Sequence, residues 1–185
     1  MEFSNLLEER RSYRSLEPVK IDESLIDKLA NAIKLTPSCY NKQPWRFLFI
    51  YDKEILKKTF DALSEGNAWA KKASMIVAVL SQKDFDCVLP DDRTYYKFDT
   101  GMATGILLLK STELGLVAHP IAGYNSEIIK QIFNIPQTIE VLALVIIGKR
   151  AKDISPELKD YQIESEKNRP ERKENKDFIY INEYI

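Results

Sequence analysis

Sulfur and imidazole are scarce in this chain of 185 residues, which holds two cysteines and one histidine. Cys39 and Cys87 are not part of a repeated spacing, so they do not make a disulfide framework. The single histidine, His119, leaves too few soft ligands for a structural zinc site. The sequence therefore predicts a reduced, metal-free, cytoplasmic protein.

An excess of one charge and long apolar runs are also missing. The formal net charge is −1 and the pI is near 6.0, which argues against a broad basic surface for nucleic acid. The N-terminus is charged early and has no apolar core of signal-peptide length. Lys110 and Glu113 interrupt the most apolar stretch too early for a bilayer span. Neither nucleic acid nor a membrane is expected as a partner, and the length predicts one domain.

The most apolar stretch covers residues 98–114, and its apolar side chains fall on every side of a 3.6-residue period. This pattern predicts a central helix that is covered all round. Gly101 and Gly105 lie four residues apart on one face, which predicts the close approach of a second backbone. Beyond Gly115, residues 119–123 predict a turn whose backbone can contact a ligand.

Other regular elements are predicted on both sides of this helix. Helices are expected over residues 3–10, 22–35, 53–63 and 126–133, and strands over residues 46–51, 75–80 and 141–148. The polar residues 82–94, which precede the central helix, predict an irregular loop.

Arginine alternates with other residues in the sequence RRSYR, which begins at Arg10. In an extended chain Arg10, Ser12 and Arg14 point to one side. Two guanidinium groups that flank a hydroxyl suit a phosphate. A solvated basic patch is the alternative interpretation.

A second candidate segment is the loop PSCYNKQPWRF, residues 37–47. Its two prolines enclose small and amide-bearing side chains, which describes a fixed loop with donors and acceptors outside regular structure. Such a loop could clasp a flat polar ligand. A surface loop pinned by Trp45 is the alternative.

The tail, residues 151–185, is rich in charge but ends in the β-prone run Phe178-Ile179-Tyr180-Ile181. A lone terminal strand needs a sheet edge. An extended link over residues 152–176 would carry this strand to a second copy of the chain. A frayed, solvated tail is the alternative.

Four motifs in order, RRSYR, PSCYNKQPWRF, NAWAKKAS and DTGMATG…LGLVAHPIAGY, resemble the nitroreductase family of flavin enzymes over residues 7–149. The tail resembles the closing segment of that family more loosely. The resemblance implies an α+β fold, with a small mainly antiparallel sheet flanked by helices. It also implies a homodimer with FMN at the subunit interface and an exchanged C-terminal extension. Residues 1–150 would form the core, and residues 151–185 would belong to the same domain.

The resemblance also implies site residues, and it assigns the chemistry to the flavin rather than to a catalytic side chain. The expected cofactor-binding residues are Arg10, Arg11, Ser12, Arg14, Pro37, Ser38, Cys39, Asn41, Ile121, Ala122, Gly123, Lys167 and Arg169. Arg10, Ser12 and Arg14, with Lys167 and Arg169, would hold the phosphate. Residues 121–123 would meet the N5 side of the flavin.

Three further residues, His119, Phe85 and Tyr95, are candidates for the substrate pocket. His119 could donate a hydrogen bond to a substrate or could be a packed or capping residue. The Cys39 thiol could lie near the flavin or could simply be a small buried group.

The implied function is that of an FMN-dependent NAD(P)H oxidoreductase. Hydride would pass from the nicotinamide to the flavin and then to a nitroaromatic, a quinone or a similar acceptor, in ping-pong turnover. A flavin store or sensor without turnover is an alternative, as is a relative with dehalogenating or flavin-fragmenting chemistry. The sequence leaves NADH and NADPH equally open as donors.

Overall fold

A computed structural model of the chain describes residues 2–184, which form a five-stranded sheet with helices on both faces. The strands are β1 (Leu16–Glu17), β2 (Arg46–Ile50), β3 (Met75–Ser81), β4 (Val117–Ile121) and β5 (Glu140–Arg150). The helices are α1 (Phe3–Glu9), α2 (Glu23–Ile33), α3 (Lys53–Phe60), α4 (Tyr95–Glu113), α5 (Ser126–Phe133) and α6 (Asp160–Lys167). Short 3₁₀ segments cover Cys39–Asn41, Glu65–Lys72, Lys83–Phe85 and Asn175–Asp177.

All four strand pairings are antiparallel, in the order β1-β5-β3-β2, with β4 also paired to β5. The long strand β5 is the axis of the sheet: β3 lies along one side and β4 along the other, and β1 pairs with the last two residues of β5. The register places His119 opposite Ile146 and Leu16 opposite Arg150. The predicted α+β fold with a small, mainly antiparallel sheet is thereby confirmed.

Local sequence explains where the helices begin. Asp22 caps α2 by accepting from the N–H of Leu25, and Asp52 and Asn125 cap α3 and α5 in the same way. Each cap satisfies N–H groups that have no partner inside the helix.

The core lies on both faces of the sheet because β3 is buried along its whole length. On one face Leu29 of α2 and Leu107 of α4 pack against Val77. On the other face Ile129 of α5 and Trp69 pack near Ile76. A strand that is buried on both sides reads as a continuous apolar run, which is why MIVAVL was recognisable from sequence.

Helix α4 differs from its prediction, because this chain does not cover it all round. Ala103 and Leu107 are fully buried, whereas Phe98 is 57 % exposed. A Cβ added at Gly101 or Gly105 would meet no atom within 4 Å. The protomer buries one stripe of the helix, so no second backbone approaches these glycines within the described chain.

Two other predictions were wrong. His119, Pro120 and Ile121 belong to β4 rather than to a turn, because β5 offers them a paired edge. The link in the tail is not extended throughout, since it contains α6. Phe178-Ile179-Tyr180-Ile181 follows a 3₁₀ turn, is exposed and forms no strand. A β-prone run without a partner backbone has no ladder to join.

Within residues 2–184 every helix is too short or too polar to cross a lipid bilayer.

Candidate functional site

Arg10 and Ser12 lie in the non-helical segment between α1 and β1, beside the end of the tail helix. The Arg10 guanidinium donates to Ser12 Oγ at 3.3 Å. Arg169 donates to the carbonyl oxygens of Glu8 and Arg10, the latter at 3.2 Å. Partial burial and the nearby charges of Arg169 and Arg172 lower the pKa of Arg10. Cations that crowd one another in this way form a site for an anion.

Arg172 was not among the predicted site residues. It lies three positions beyond Arg169 in a segment dense in charge, where sequence offers no means of choosing one arginine over another. In the folded chain the tail passes close to Arg10, which brings Arg172 near the Arg10 guanidinium. Lys167, which was predicted to bind the phosphate, is exposed in the last turn of α6.

Arg11 and Arg14 bind α6 of the same protomer. Arg11 donates to the carbonyls of Ser165 at 2.7 Å and of Glu166 at 3.3 Å, which lie at the C-terminal end of the helix. Arg14 donates from its side chain to Ser165 Oγ at 3.0 Å and from its backbone N–H to the buried Glu166 carboxylate at 2.6 Å. A cation at the C-terminal end of a helix is favourable, so these contacts hold the tail helix against the N-terminal segment.

An open cavity of about 480 Å³ lies beside these arginines. Its lining includes Arg11, Tyr13, Arg150 and Arg169. The guanidinium groups of Arg11 and Arg150 lie 4.7 Å and 4.0 Å from the centre of the Tyr13 ring. The aromatic ring holds two cations in place without neutralising them.

His119 is buried in β4 between Tyr13 and Trp69. Its Nδ1 lies 3.1 Å from the Tyr13 carbonyl, and its ring stacks on Trp69 with 4.6 Å between centroids. Burial lowers the pKa of His119 to about 4; the Tyr13 contact opposes this shift, while Arg14 and Arg10 add to it. The ring is therefore neutral at pH 7. Since a carbonyl only accepts, Nδ1 carries the proton and Nε2 is an acceptor.

Trp69 and Gly123 link the NAWAKKAS motif to the end of β4. The Gly123 carbonyl accepts from the N–H of Ser64 at 3.0 Å, from Ser64 Oγ at 2.8 Å and from Asn67 Nδ2 at 2.9 Å. Ile121 is buried, whereas Ala122 is exposed. Trp69 Nε1 is buried and has no hydrogen-bond partner among residues 2–184.

The loop after α2 holds three non-glycine residues, Tyr40, Asn41 and Gln43, at positive φ. The N–H of Gln43 donates to Ser38 Oγ at 2.9 Å, and the N–H of Cys39 donates to Asp99 at 2.7 Å. Left-handed backbone at such residues costs free energy and is concentrated at binding sites. Pro37 and Asn41 are exposed, so the loop presents its outer side to solvent.

The prediction of reduced cysteines is contradicted, because Cys39 and Cys87 are joined by a disulfide. Their Cα atoms are 6.2 Å apart across two loops that are distant in sequence. Two cysteines without a repeated spacing carry no pairing signal. The fold brings them together at the start of α4, beside Asp86 and Asp99.

The other pocket candidates lie near this disulfide in the chain. Phe85 is covered by the Arg46 guanidinium at 4.4 Å, and Tyr95 stacks on Phe98 at 5.2 Å. The predicted residues therefore form two groups. One surrounds Arg10, Ser12 and His119, and the other surrounds Cys39. In residues 2–184 no hydrogen bond joins the groups directly.

Comparison with known proteins identifies relatives of this chain. The sequence profile described as the Nitroreductase family matches residues 7–149. A protein of Archaeoglobus fulgidus, provisionally named NADH dehydrogenase/NAD(P)H nitroreductase, is 29 % identical over 147 residues, which are 75 % of this chain and 80 % of that protein. The similarly provisional NAD(P)H nitroreductase MhqN of Bacillus subtilis is 21 % identical over 184 residues, with 80 % and 88 % covered.

Solved structures share the fold over the whole chain. A crystal structure of a nitroreductase family protein from Clostridium difficile superposes with a TM-score of 0.81 at 24 % identity, and each chain is fully covered. A structure named as an oxidoreductase containing FMN gives a TM-score of 0.86 at 26 % identity, with 100 % of this chain and 94 % of the other covered.

Proposed function

Because the chain belongs to the nitroreductase family, we propose that it is an FMN-dependent NAD(P)H oxidoreductase which reduces a nitroaromatic, a quinone or a similar flat acceptor. Relatives with NAD(P)H nitroreductase in their provisional names support the donor and the reaction class. The similar structure that is named as containing FMN supports the cofactor.

The observation that carries this proposal is the cation cluster at Arg10. Arg10, Arg169 and Arg172 lie close enough for their charges to lower the pKa of Arg10. A phosphate dianion would relieve their repulsion and accept charge-assisted hydrogen bonds. Ser12 adds a hydroxyl to this cluster. Trp69 Nε1, which is buried and has no hydrogen-bond partner among residues 2–184, belongs to the ring that stacks on His119. The residues that are present therefore fit the phosphorylated group.

We assign holding of the phosphate to Arg10, Ser12 and Arg169, and add Arg172 to the predicted set. Arg11 and Arg14 would not contact the phosphate. They would hold α6 in place, and α6 in turn positions Arg169. FMN, when bound, supplies the ring that accepts and donates hydride. No side chain of this protein needs to act as a general base.

His119 and the residues after β4 would position the ring system. His119 is neutral and offers Nε2 as an acceptor close to Arg14, so it adds no cation to this site. The three hydrogen bonds to the Gly123 carbonyl fix the peptide that joins Gly123 to Tyr124. A fixed backbone dipole can favour one redox state of a neighbouring ring without reorganisation.

We further propose that the protein is a homodimer and that the second copy covers the exposed side of α4. An open cavity of about 420 Å³ runs along Gly101, Gly105 and Leu108. Phe98 on the same helix and Phe178 in the tail are each more than half exposed. A contiguous apolar surface such as the one along α4 is typical of an interface. The loop at Cys39 would then reach the cofactor held by the partner, which accounts for two separate groups of site residues.

The test uses the purified full chain under anaerobic conditions. We expect the protein to bind FMN. Addition of NADH or NADPH should then bleach the bound flavin, and a quinone or nitroaromatic should restore the yellow colour. Protein that stays colourless after incubation with FMN would overturn the cofactor assignment. Protein that binds FMN but is bleached by neither nicotinamide would instead be a flavin store or sensor.

A further inference from the structure

Two cysteines and two aspartates converge where the loop after α2 meets the start of α4. The sulfurs of Cys39 and Cys87 and a carboxylate oxygen of Asp86 lie within 4.8 Å of one another. Asp99, from the second turn of α4, accepts from the N–H of Cys39 at 2.7 Å and interacts directly with Asp86. None of these groups touches the cation cluster at Arg10 through a hydrogen bond in the described part of the chain.

Both aspartates carry an oxygen whose hydrogen bonding is incomplete. Asp86 is 6 % exposed and Asp99 is 1 % exposed, yet Asp86 Oδ2 and Asp99 Oδ1 have no partner among residues 2–184. Burial, together with the nearby Asp99 carboxylate, raises the pKa of Asp86. A cation would satisfy both oxygens.

We propose that reduction of the Cys39–Cys87 disulfide converts this cluster into a site for one zinc ion. The ligands are the thiolates of Cys39 and Cys87 and the carboxylate of Asp86, and the neighbouring Asp99 carboxylate is the candidate for the fourth position. Zinc accepts sulfur and oxygen ligands in a tetrahedral arrangement. With Zn–S bonds of about 2.3 Å, the two sulfurs would stand roughly 3.7 Å apart. The 6.2 Å between the Cα atoms leaves room for that separation without rebuilding either loop.

Two molecules of a thiol reductant donate two electrons and two protons, so that the S–S bond breaks, two S–H bonds form and the reductant becomes its own disulfide. Zinc then displaces the two thiol protons, which pass to the solvent. Binding therefore tightens as the pH rises.

Zinc would replace the covalent link between the two loops with a coordinate one. The loop that contains Tyr40, Asn41 and Gln43 in left-handed conformations would remain tied to α4 in either state. Only the reduced protein without metal would release it. The site thus makes the order of this loop depend on thiol redox state and on zinc together.

The experiment compares the oxidised and reduced forms of the full chain. Reduced protein, freed of reductant, is titrated with zinc against a competing chelator and then with cobalt(II) as a spectroscopic probe. We expect one zinc per chain in the reduced form only, a thiolate-to-cobalt charge-transfer band, and protection of both cysteines from alkylation by zinc. Equal zinc binding by the oxidised form, or alkylation that zinc does not slow, would overturn the proposal.

Asp86→Asn tests the carboxylate, because it keeps both sulfurs and nearly the same shape. We expect its zinc affinity in the reduced state to fall by at least about 10-fold. Asp84→Asn is the matched control, since Asp84 is an exposed acid two residues away that lies outside the cluster, and its affinity should not change. An unchanged affinity in Asp86→Asn would remove the carboxylate from the site. If that variant does not fold, the comparison of oxidised and reduced wild-type protein decides alone. Neither experiment uses FMN or a nicotinamide, so its failure is distinct from a failure of the proposed function.

Discussion

At the scale of single residues, Arg10 is the group on which the proposed phosphate site depends most. It donates to Ser12 and lies close to two further guanidinium groups. Arg10→Ala removes a charge-assisted hydrogen bond to the anion, so FMN affinity should fall by about 10- to 100-fold, or roughly 2 kcal/mol. The quenching of flavin fluorescence on titration measures this change.

Arg93→Ala provides the control, since Arg93 is an exposed arginine paired with Asp91. Its affinity for FMN should match that of the wild type. If Arg10→Ala and Arg93→Ala bound FMN with equal affinity, Arg10 would not hold the phosphate.

His119 makes stability depend on pH. Burial holds its folded pKa at about 4, below the unfolded value of 6.5. Between these values the unfolded state binds more protons, so the free energy of unfolding falls as the pH drops from 6.5 towards 4, by up to roughly 3 kcal/mol. Above pH 6.5 His119 is neutral in both states, so it does not make the free energy of unfolding depend on pH. Urea unfolding at a series of pH values measures the effect.

His119→Gln separates this contribution from that of the carboxylates. Glutamine can still donate to the Tyr13 carbonyl but does not titrate. The slope between pH 6.5 and 4 should become shallower in this variant. An identical slope would mean that His119 is not the group responsible.

At the scale of elements, the connection from β4 to α5 depends on the absence of a side chain at Gly123. A Cβ there would lie 2.5 Å from Ser64 Oγ and 2.6 Å from Asn67 Nδ2. Both atoms donate to the Gly123 carbonyl, so neither can move away without losing its hydrogen bond. Gly123→Ala should therefore lower the free energy of unfolding by about 1–3 kcal/mol, as measured by the urea midpoint.

Gly66→Ala is its matched control. Gly66 is a glycine of the neighbouring 3₁₀ segment, and an added Cβ there meets nothing within 4 Å. The midpoint of this variant should lie near that of the wild type. Comparable losses in both variants would show that the crowding at Gly123 is not the cause.

Helix α6 shows how one element of the tail joins the core. Leu158, Gln162 and Glu166 are buried, although the segment around them is strongly charged. Arg11 and Arg14 cross from the N-terminal segment to meet the end of the helix. The tail up to Lys167 is thus held on its own chain, and most of the exposed large apolar side chains in the described tail lie beyond Asp177.

At the scale of the whole molecule, this division gives a test of the proposed dimer. Truncation after Asp177 removes the exposed run that begins at Phe178 but keeps α6. We expect the truncated chain to fold with an unchanged circular dichroism spectrum and to dissociate at higher concentrations than the full chain, because apolar contact area with the partner is lost. Light scattering over a dilution series measures this change.

Flavin retention in the same truncated protein should fall together with dimerisation, if the two copies share the cofactor site. A truncated protein that dimerises and holds FMN as the full chain does would contradict the exchange of the terminal run.

The amino-acid sequence alone determined most of the helices, three of the five strands and the family. The apolar run MIVAVL and the four ordered motifs are local signals, and the structure confirms the first and the family comparison the second. The alternation of Arg10, Ser12 and Arg14 predicts a phosphate site, and in the structure Arg10 lies close to Arg169 and Arg172. Local signals can be recognised in the sequence because capping hydrogen bonds and side-chain periodicity act over a few residues.

Tertiary structure alone decided which distant groups meet. The Cys39–Cys87 disulfide, the choice of Arg172, the pairing that turned residues 119–121 into a strand and the docking of α6 all join residues that are far apart in sequence. Such contacts depend on how the chain returns on itself, and no spacing within one segment records that path. The apolar residues on every side of α4 show the same limit. Their pattern predicts that the helix is buried all round, but it does not indicate which chain buries each side.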